Sequence, residues 1–183
     1  MSASLTLAID ASTYTGSVAV IGGGRVVAET ETAMRGEHEE RLMPAVAQVL
    51  ADAGVRPRGV GRVVCGAGPG SFTSLRIAAS IAKGIAVAGE VPLFAVPSLA
   101  HRAVHALVAN SAVEPMALAL GARSIGPTQG VISAAPHARG VAALEDWLTG
   151  SEPVDVATWE PAYGRVAEAQ ARWEREHGRP LGG

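Results

Sequence analysis

Aromatic side chains are scarce in this sequence: three tryptophans, two tyrosines and two phenylalanines make up 4% of 183 residues. A core with so few rings must be assembled from Ala, Val, Leu and Ile, and few flat platforms remain on which nucleic-acid bases can stack. Charge is sparse as well, at 17% of residues with a net charge of −2. Binding to a phosphate backbone rests on a basic excess, and none exists globally, so autonomous RNA binding is disfavoured. Cysteine occurs once, as Cys65 in the apolar run Val63-Val64-Cys65. That excludes an intramolecular disulfide, fits a reducing compartment and reads as a small buried hydrophobe. No basic segment followed by a long apolar one opens the chain, and no unbroken apolar run reaches about 18 residues. Neither a signal peptide nor a membrane span is therefore expected, and a cytoplasmic location is. What is plentiful is hydrophobicity, 48% of residues, enough to bury a core.

The hydropathy pattern divides the chain. Leu5-Thr6-Leu7-Ala8-Ile9-Asp10 alternates and ends on a carboxylate; residues 16–21 and 25–30 are two more apolar runs, joined by Gly22-Gly23-Gly24. Short loops between such runs predict a meander of three antiparallel strands. Residues 38–53 switch to helical spacing, with Leu42, Val46, Val49, Leu50 and Ala53 on one stripe, Pro44 near the start and Gly54 as the stop. Residues 60–65 form a short apolar strand, and Gly66-Ala67-Gly68-Pro69-Gly70 leads into a helix from Ser71 to about Ala88, ended by Gly89. Residues 91–96 predict a further strand, and Ser98 caps a helix to about Val108. The order β-β-β-α-β-α-β-α is that of an α/β mixed sheet flanked by helices. Beyond residue 110 the signal weakens. Residues 116–120 and 130–134 read as short strands around a Gly/Pro/Ser-rich link at 121–130, residues 141–148 as helix, 154–157 as strand and 162–177 as a polar amphipathic helix.

Several clusters invite chemistry. Asp10 with Ser12, Thr13 and Thr15 resembles the first phosphate loop of an actin-like ATPase, and also an ordinary turn. No second Asp-Xaa-Gly loop follows to clamp a nucleotide from the far side. Residues 66–70 precede a helix N-terminus, where anions bind, yet lack the Lys-Ser/Thr ending of a P-loop. His38 among Glu37, Glu39 and Glu40 does not have zinc-peptidase spacing, and His101 with His105, at i and i+4, has no third ligand nearby. Ser12 and Ser71 have no neighbouring base, so no nucleophile is identified.

Three motifs occur in order. They are Leu7-Ala8-Ile9-Asp10-Ala11-Ser12-Thr13, then His38-Glu39-Glu40-Arg41-Leu42-Met43-Pro44, then Gly68-Pro69-Gly70-Ser71-Phe72-Thr73-Ser74-Leu75-Arg76-Ile77 with Ala82-Lys83-Gly84. Together with Val96-Pro97-Ser98-Leu99 and Glu160-Pro161-Ala162-Tyr163, they resemble the TsaB (YeaZ) family. Two departures stand out: Ser74 occupies a position where the family usually has Gly, and Gly121-Ala122-Arg123 replaces an Asp-Ala-Arg stretch, with a short segment from there to Glu160.

The resemblance implies an RNase H-like, actin-like (ASKHA) fold with a first lobe over residues 1–110 and an abbreviated second lobe with a terminal helix over 111–183. It implies a non-catalytic scaffold with no cofactor of its own. The scaffold pairs with the catalytic homologue TsaD, which is joined by the ATPase TsaE, in tRNA N6-threonylcarbamoyladenosine synthesis beside the anticodon. ATP or ADP and metal belong to those partners, and tRNA is met only through the complex. Pairing runs through two helices, so Leu42, Met43, Val46, Val49, Leu50, Leu75, Arg76, Ala79, Ala82 and Lys83 are the candidate interface residues, with Asp10, Ser12 and Thr13 as a vestigial phosphate loop. Which stripe of each helix faces outward is left open by periodicity. A charge at Met43 or Ala79 is expected to abolish pairing. The alternatives are a free-standing actin-like ATP-dependent enzyme with Asp10 on metal, and a homodimer built on the same helices.

Overall fold

A computed structural model describes residues 4–34, 41–98, 136–163 and 168–178. The three N-terminal runs form β1 (Leu5–Asp10), β2 (Thr15–Gly22) and β3 (Arg25–Ala33), an antiparallel meander. The β2–β3 turn uses Gly23 and Gly24 at φ +57° and +71°, the left-handed pair that a tight hairpin needs. β4 (Val60–Gly66) runs parallel to β1, and β5 (Leu93–Val96) parallel to β4. The sheet order is β3-β2-β1-β4-β5, the mixed sheet expected from the sequence.

Successive side chains of a strand point to opposite faces, and each face has its own cover. On one, Leu7, Ile9, Val18, Val20, Val63, Cys65 and Leu93 meet α1 (Leu42–Asp52) and α2 (Phe72–Gly89). On the other, Ala8, Ala19, Ile21, Val64, Phe94 and Val96 meet Ala138, Val141, Leu144 and Leu148, from a 3-10 stretch (Ala138–Leu144) and α3 (Glu145–Gly150). This second cover is fastened at both ends. Ala138 N donates to Ser17 Oγ at 2.9 Å, and Arg62 bridges Thr6 Oγ1 (2.7 Å) and Glu145 Oε1 (2.5 Å). Residues 138–148 thus pack on the second face of the sheet.

α1 and α2 end alike. After α1, Gly54 N donates to Ala51 O and Val55 N to Leu50 O, with Gly54 at φ +66°. After α2, Glu90 N donates to Val87 O and Val91 N to Ala86 O, with Glu90 at φ +52°. Both are Schellman motifs, so the residue that turns the chain out of α2 is Glu90, one place beyond the expected stop at Gly89. Ser71 occupies the N-cap of α2 without a side-chain cap bond; its Oγ accepts from Ser74 Oγ at 3.0 Å.

Other expectations need correction. Residues 154–157 form no strand: Val154 N donates once to Leu93 O (2.8 Å), and a turn built on Asp155 follows. The terminal helix is α4 (Glu168–His177); residues 161–163 are not helical, because Pro161 opens the segment and Ala162 N is spent on Ala67 O at 2.8 Å. By length and composition α2 is long and apolar enough to cross a membrane (18 residues, mean hydropathy 1.2), contrary to the expectation that no segment is. Its buried side is nevertheless filled by the sheet, and Arg76 and Lys83 interrupt it. The helix expected from Ser98 to Val108, the strands at 116–120 and 130–134, and the residues Glu37–Glu40, His101 and His105 lie outside the described residues, apart from Ser98 itself.

Candidate functional site

Asp10 ends β1 at the centre of the sheet and is 1% exposed. Its Oδ1 accepts from Ser12 N (2.9 Å) and Ser12 Oγ (2.8 Å), the bonds of an Asx turn. Gly66 lies so close that a Cβ there would strike the Asp10 carboxylate, and burial together with that carboxylate pushes the Cys65 thiol far above its ordinary pKa. The loop after β4 is held from two sides: Gly68 N donates to Ser98 Oγ (3.1 Å), Ser98 N to Gly68 O (3.0 Å), and Ser71 N to Ser12 O (2.8 Å). Ser98 of the Val-Pro-Ser motif is therefore a clamp on the glycine loop.

An open cavity of about 380 Å³ lies over this junction, lined by Ser12, Thr13, Tyr14, Pro69, Gly70, Ser71 and Tyr163. A metal-bound nucleotide of the actin-like kind needs a carboxylate facing the metal and positive charge near the phosphates. Among the described residues the lining contains no charged side chain, and Asp10 is sealed beneath it. These residues do not fit that group. Among the described residues no cluster of three His, Cys, Asp or Glu side chains can hold a metal ion.

The structure sorts the candidate interface residues. Leu42, Val46, Val49, Leu50, Leu75, Ala79 and Ala82 all point into the core, none more than 5% exposed. Within the chain, Leu42, Val46, Val49, Leu50 and Ala82 share one core cluster with Leu7, Val18 and Val63 of the sheet. A charge at Ala79 would consequently test folding instead of pairing. Met43 (46% exposed) and Arg76 are at the surface, and Lys83 is half-buried.

The outward side of α2 carries Thr73, Ser80, Gly84 and Ala88, with Ile77 and Ile81 half-buried at its margin against the core. Phe72, Thr73, Arg76, Ile77, Ser80 and Ile81 surround a cavity of about 510 Å³. Gly84 sits mid-helix, and no described residue outside its own helix turn comes within 4 Å of the place a Cβ would take. On α1, Met43, Pro44, Ala47 and Gln48 face outward.

Sequence reasoning did not find the part played by residues 151–163. This segment runs as a strap from the β5 edge along one flank of α2 to the glycine loop. Val154, Val156 and Trp159 pack on the core, Lys83 Nζ lies 5.8 Å from the Trp159 ring centre, and Tyr163 packs on Phe72 with centroids 4.4 Å apart. Ala162 O sits where a Cβ on Gly68 would go. The sequence did carry a signal there, since Glu160-Pro161-Ala162-Tyr163 is part of the family resemblance, but the motif names no packing partner. His137 was also missed: it is buried beneath β3, with Nε2 3.1 Å from Glu31 Oε1 and Nδ1 accepting from Arg139 N at 3.0 Å, while Arg139 pairs with Glu29 at 3.1 Å. That cluster fastens the second cover to the edge strand.

A family model described as TsaD: tRNA N6-adenosine threonylcarbamoyltransferase matches residues 26–125, more than half of the chain. Among curated proteins, the tRNA threonylcarbamoyladenosine biosynthesis protein TsaB of Bacillus subtilis (strain 168) is 36% identical over 110 residues, 60% of this chain and 48% of the relative. The protein of the same name from Escherichia coli (strain K12) is 38% identical over 111 residues, 61% of this chain and 48% of the relative. The chain thus spans about half the length of these relatives. Among solved structures, YeaZ from Pseudomonas aeruginosa superimposes with a TM-score of 0.71 at 25% identity, covering 87% of this chain and 99% of that one.

Proposed function

The chain belongs to the TsaB/YeaZ family, within the broader TsaD family, and from that premise we propose that it is a non-catalytic scaffold in tRNA threonylcarbamoyladenosine synthesis. It pairs with the catalytic homologue TsaD, the ATPase TsaE joins that pair, and the assembly transfers a threonylcarbamoyl group to the adenosine beside the anticodon. Nucleotide and metal belong to the partner subunits, tRNA is met through the complex, and the location is cytoplasmic.

The observation that supports this reading is the outward side of α2. A glycine inside an exposed helix costs about 1 kcal/mol relative to alanine, and among the described residues Gly84 has no neighbour that explains it. Small residues let two helices approach closely, and Ser80, Gly84 and Ala88 continue the surface begun by Thr73, Ile77 and Ile81. With Met43 and Ala47 of α1 alongside, the face suits a helix pair from a partner, packed as a four-helix bundle. Without that partner, the same face serves a second copy of the chain.

The test is co-purification of the tagged chain with TsaD, with threonylcarbamoyl transfer to tRNA assayed in its presence and absence. Gly84→Arg and Met43→Asp, both at exposed positions, are expected to abolish the complex while the thermal unfolding midpoint of the chain stays within a few degrees. Transfer that proceeds equally well without the chain, or a complex indifferent to both substitutions, would refute the proposal. Turnover of Mg-ATP by the isolated chain would favour the enzyme alternative built on Asp10.

A further inference from the structure

Over its eighteen residues α2 contains two charged side chains, Arg76 and Lys83, and both are cations. Seven residues are two helical turns less about 20°, so the two side chains leave the same flank roughly 10 Å apart along the axis. Each lies over a ring. Arg76 Cζ is 5.4 Å from the Phe72 ring centre, and Lys83 Nζ is 5.8 Å from that of Trp159. Both separations are within cation–ring range.

The rings are set by the strap. Trp159 belongs to it, and Phe72 is backed by Tyr163, four residues further along. Cations that would otherwise sample many rotamers are thereby held in place, which lowers the entropy lost when they bind. Asp155 feels the Lys83 charge, but its carboxylate is already held by Ala157 N (2.9 Å) and Thr158 Oγ1 (2.9 Å). The cationic edge borders the apolar cavity lined by Ile77, Ser80 and Ile81, a surface that suits a helix better than a phosphate backbone.

We infer that α2 and the strap form a two-cation docking edge, with Arg76 backed by Phe72–Tyr163 and Lys83 by Trp159, that receives a partner helix presenting two carboxylates about two turns apart. The inference rests on the docking reading above and adds the chemistry of the partner and two positioning residues, Trp159 and Tyr163. Affinity for such a partner falls with salt, because the cations lie at the surface.

The test uses the full chain in calorimetric titrations at low and high salt. The probes are TsaD and a synthetic helical peptide with a Leu/Ala face and two Glu seven residues apart; the same peptide with Gln is the control. Arg76→Gln with Lys83→Gln is expected to weaken TsaD binding at least tenfold and to flatten its salt dependence. Trp159→Leu and Tyr163→Leu each weaken it several-fold, and Tyr163→Phe restores it. Thermal unfolding of each variant separates a lost fold from a lost contact. Preference for the Glu peptide over the Gln peptide, abolished by the double substitution, supports the edge even if TsaD does not bind, an outcome that would sink the scaffold reading alone. TsaD binding unchanged in all variants overturns the inference, as does failure of both probes to bind. So does binding of tRNA by the isolated chain that is lost with Arg76 and Lys83.

Discussion

Replacing Glu90 by glycine should make this protein more stable, although the substitution removes a whole side chain. Gly54 and Glu90 occupy the same place in the two Schellman motifs, at φ +66° and +52°. For an L-residue the left-handed conformation costs roughly 1–2 kcal/mol. Glycine avoids that cost but gives up about 0.5–1 kcal/mol of backbone entropy. The difference favours Glu90→Gly by about 0.5–1 kcal/mol, and among the described residues no hydrogen bond or ion pair of the Glu90 side chain opposes it. In a chain of this size about 1 kcal/mol moves the melting midpoint by roughly 2–4 °C. Urea unfolding at 25 °C, followed by far-UV circular dichroism, reads the change as a shift in midpoint at constant slope. Gly54→Ala is the mirror experiment and should lose about 1 kcal/mol. If Gly54→Ala costs that much while Glu90→Gly is neutral or destabilising, the reasoning fails, because equal backbone geometry would then not carry equal cost.

Gly84→Ala should stabilise the isolated chain by up to about 1 kcal/mol by urea unfolding, while Gly84→Leu should weaken TsaD pairing in a pull-down without loss of fold. Gly68 stands at φ +85° with Ala162 O where a Cβ would go; Gly68→Ala should cost about 1–3 kcal/mol and hasten proteolysis within the strap. Arg62→Leu strips Thr6 Oγ1 and Glu145 of a partner and should cost about 1–3 kcal/mol in the same assay. The native pKa of Cys65 is raised, so above its unfolded value of about 8.5 the unfolded chain loses a proton that the native one keeps. Stability should therefore fall with rising pH in that range, by about 1.4 kcal/mol per unit at most; Cys65→Ala should remove the slope, and a thiol reagent should label the wild type only on unfolding.

The sheet was legible because its signals are local. The glycine turn at 22–24, the alternation of Leu5 to Asp10 and the stripe from Leu42 to Leu50 each name one element without reference to the rest, and burial follows the predicted stripe residue by residue. Which side of α2 faces out was not legible, because apolar and small residues occur nearly all round it: Ala78, Ala79 and Ala82 are buried, Ile77 and Ile81 half-buried, and Val87 and Ala88 exposed. Only the sheet's position decides between them. The strap escaped because its role depends on two hydrogen bonds to distant strands and loops, Val154 to Leu93 and Ala162 to Ala67, and such pairings leave no period in a sequence. Asp10 shows the reverse case: a motif that suggests chemistry, whose carboxylate the fold assigns to an Asx turn.

The cover on the second face of the sheet has a consequence for synthesis on the ribosome. All five strands have left the exit tunnel well before residues 138–148 arrive, and until then Ala8, Ala19, Ile21, Val64, Phe94 and Val96 lack the described side chains that shield them. Until then the five described strands lack the shield that residues 138–148 give this face, during elongation at about 5–20 residues per second. The cover that closes this face thus comes from residues made more than forty positions after β5, so the two faces of the sheet gain their described shields at different times.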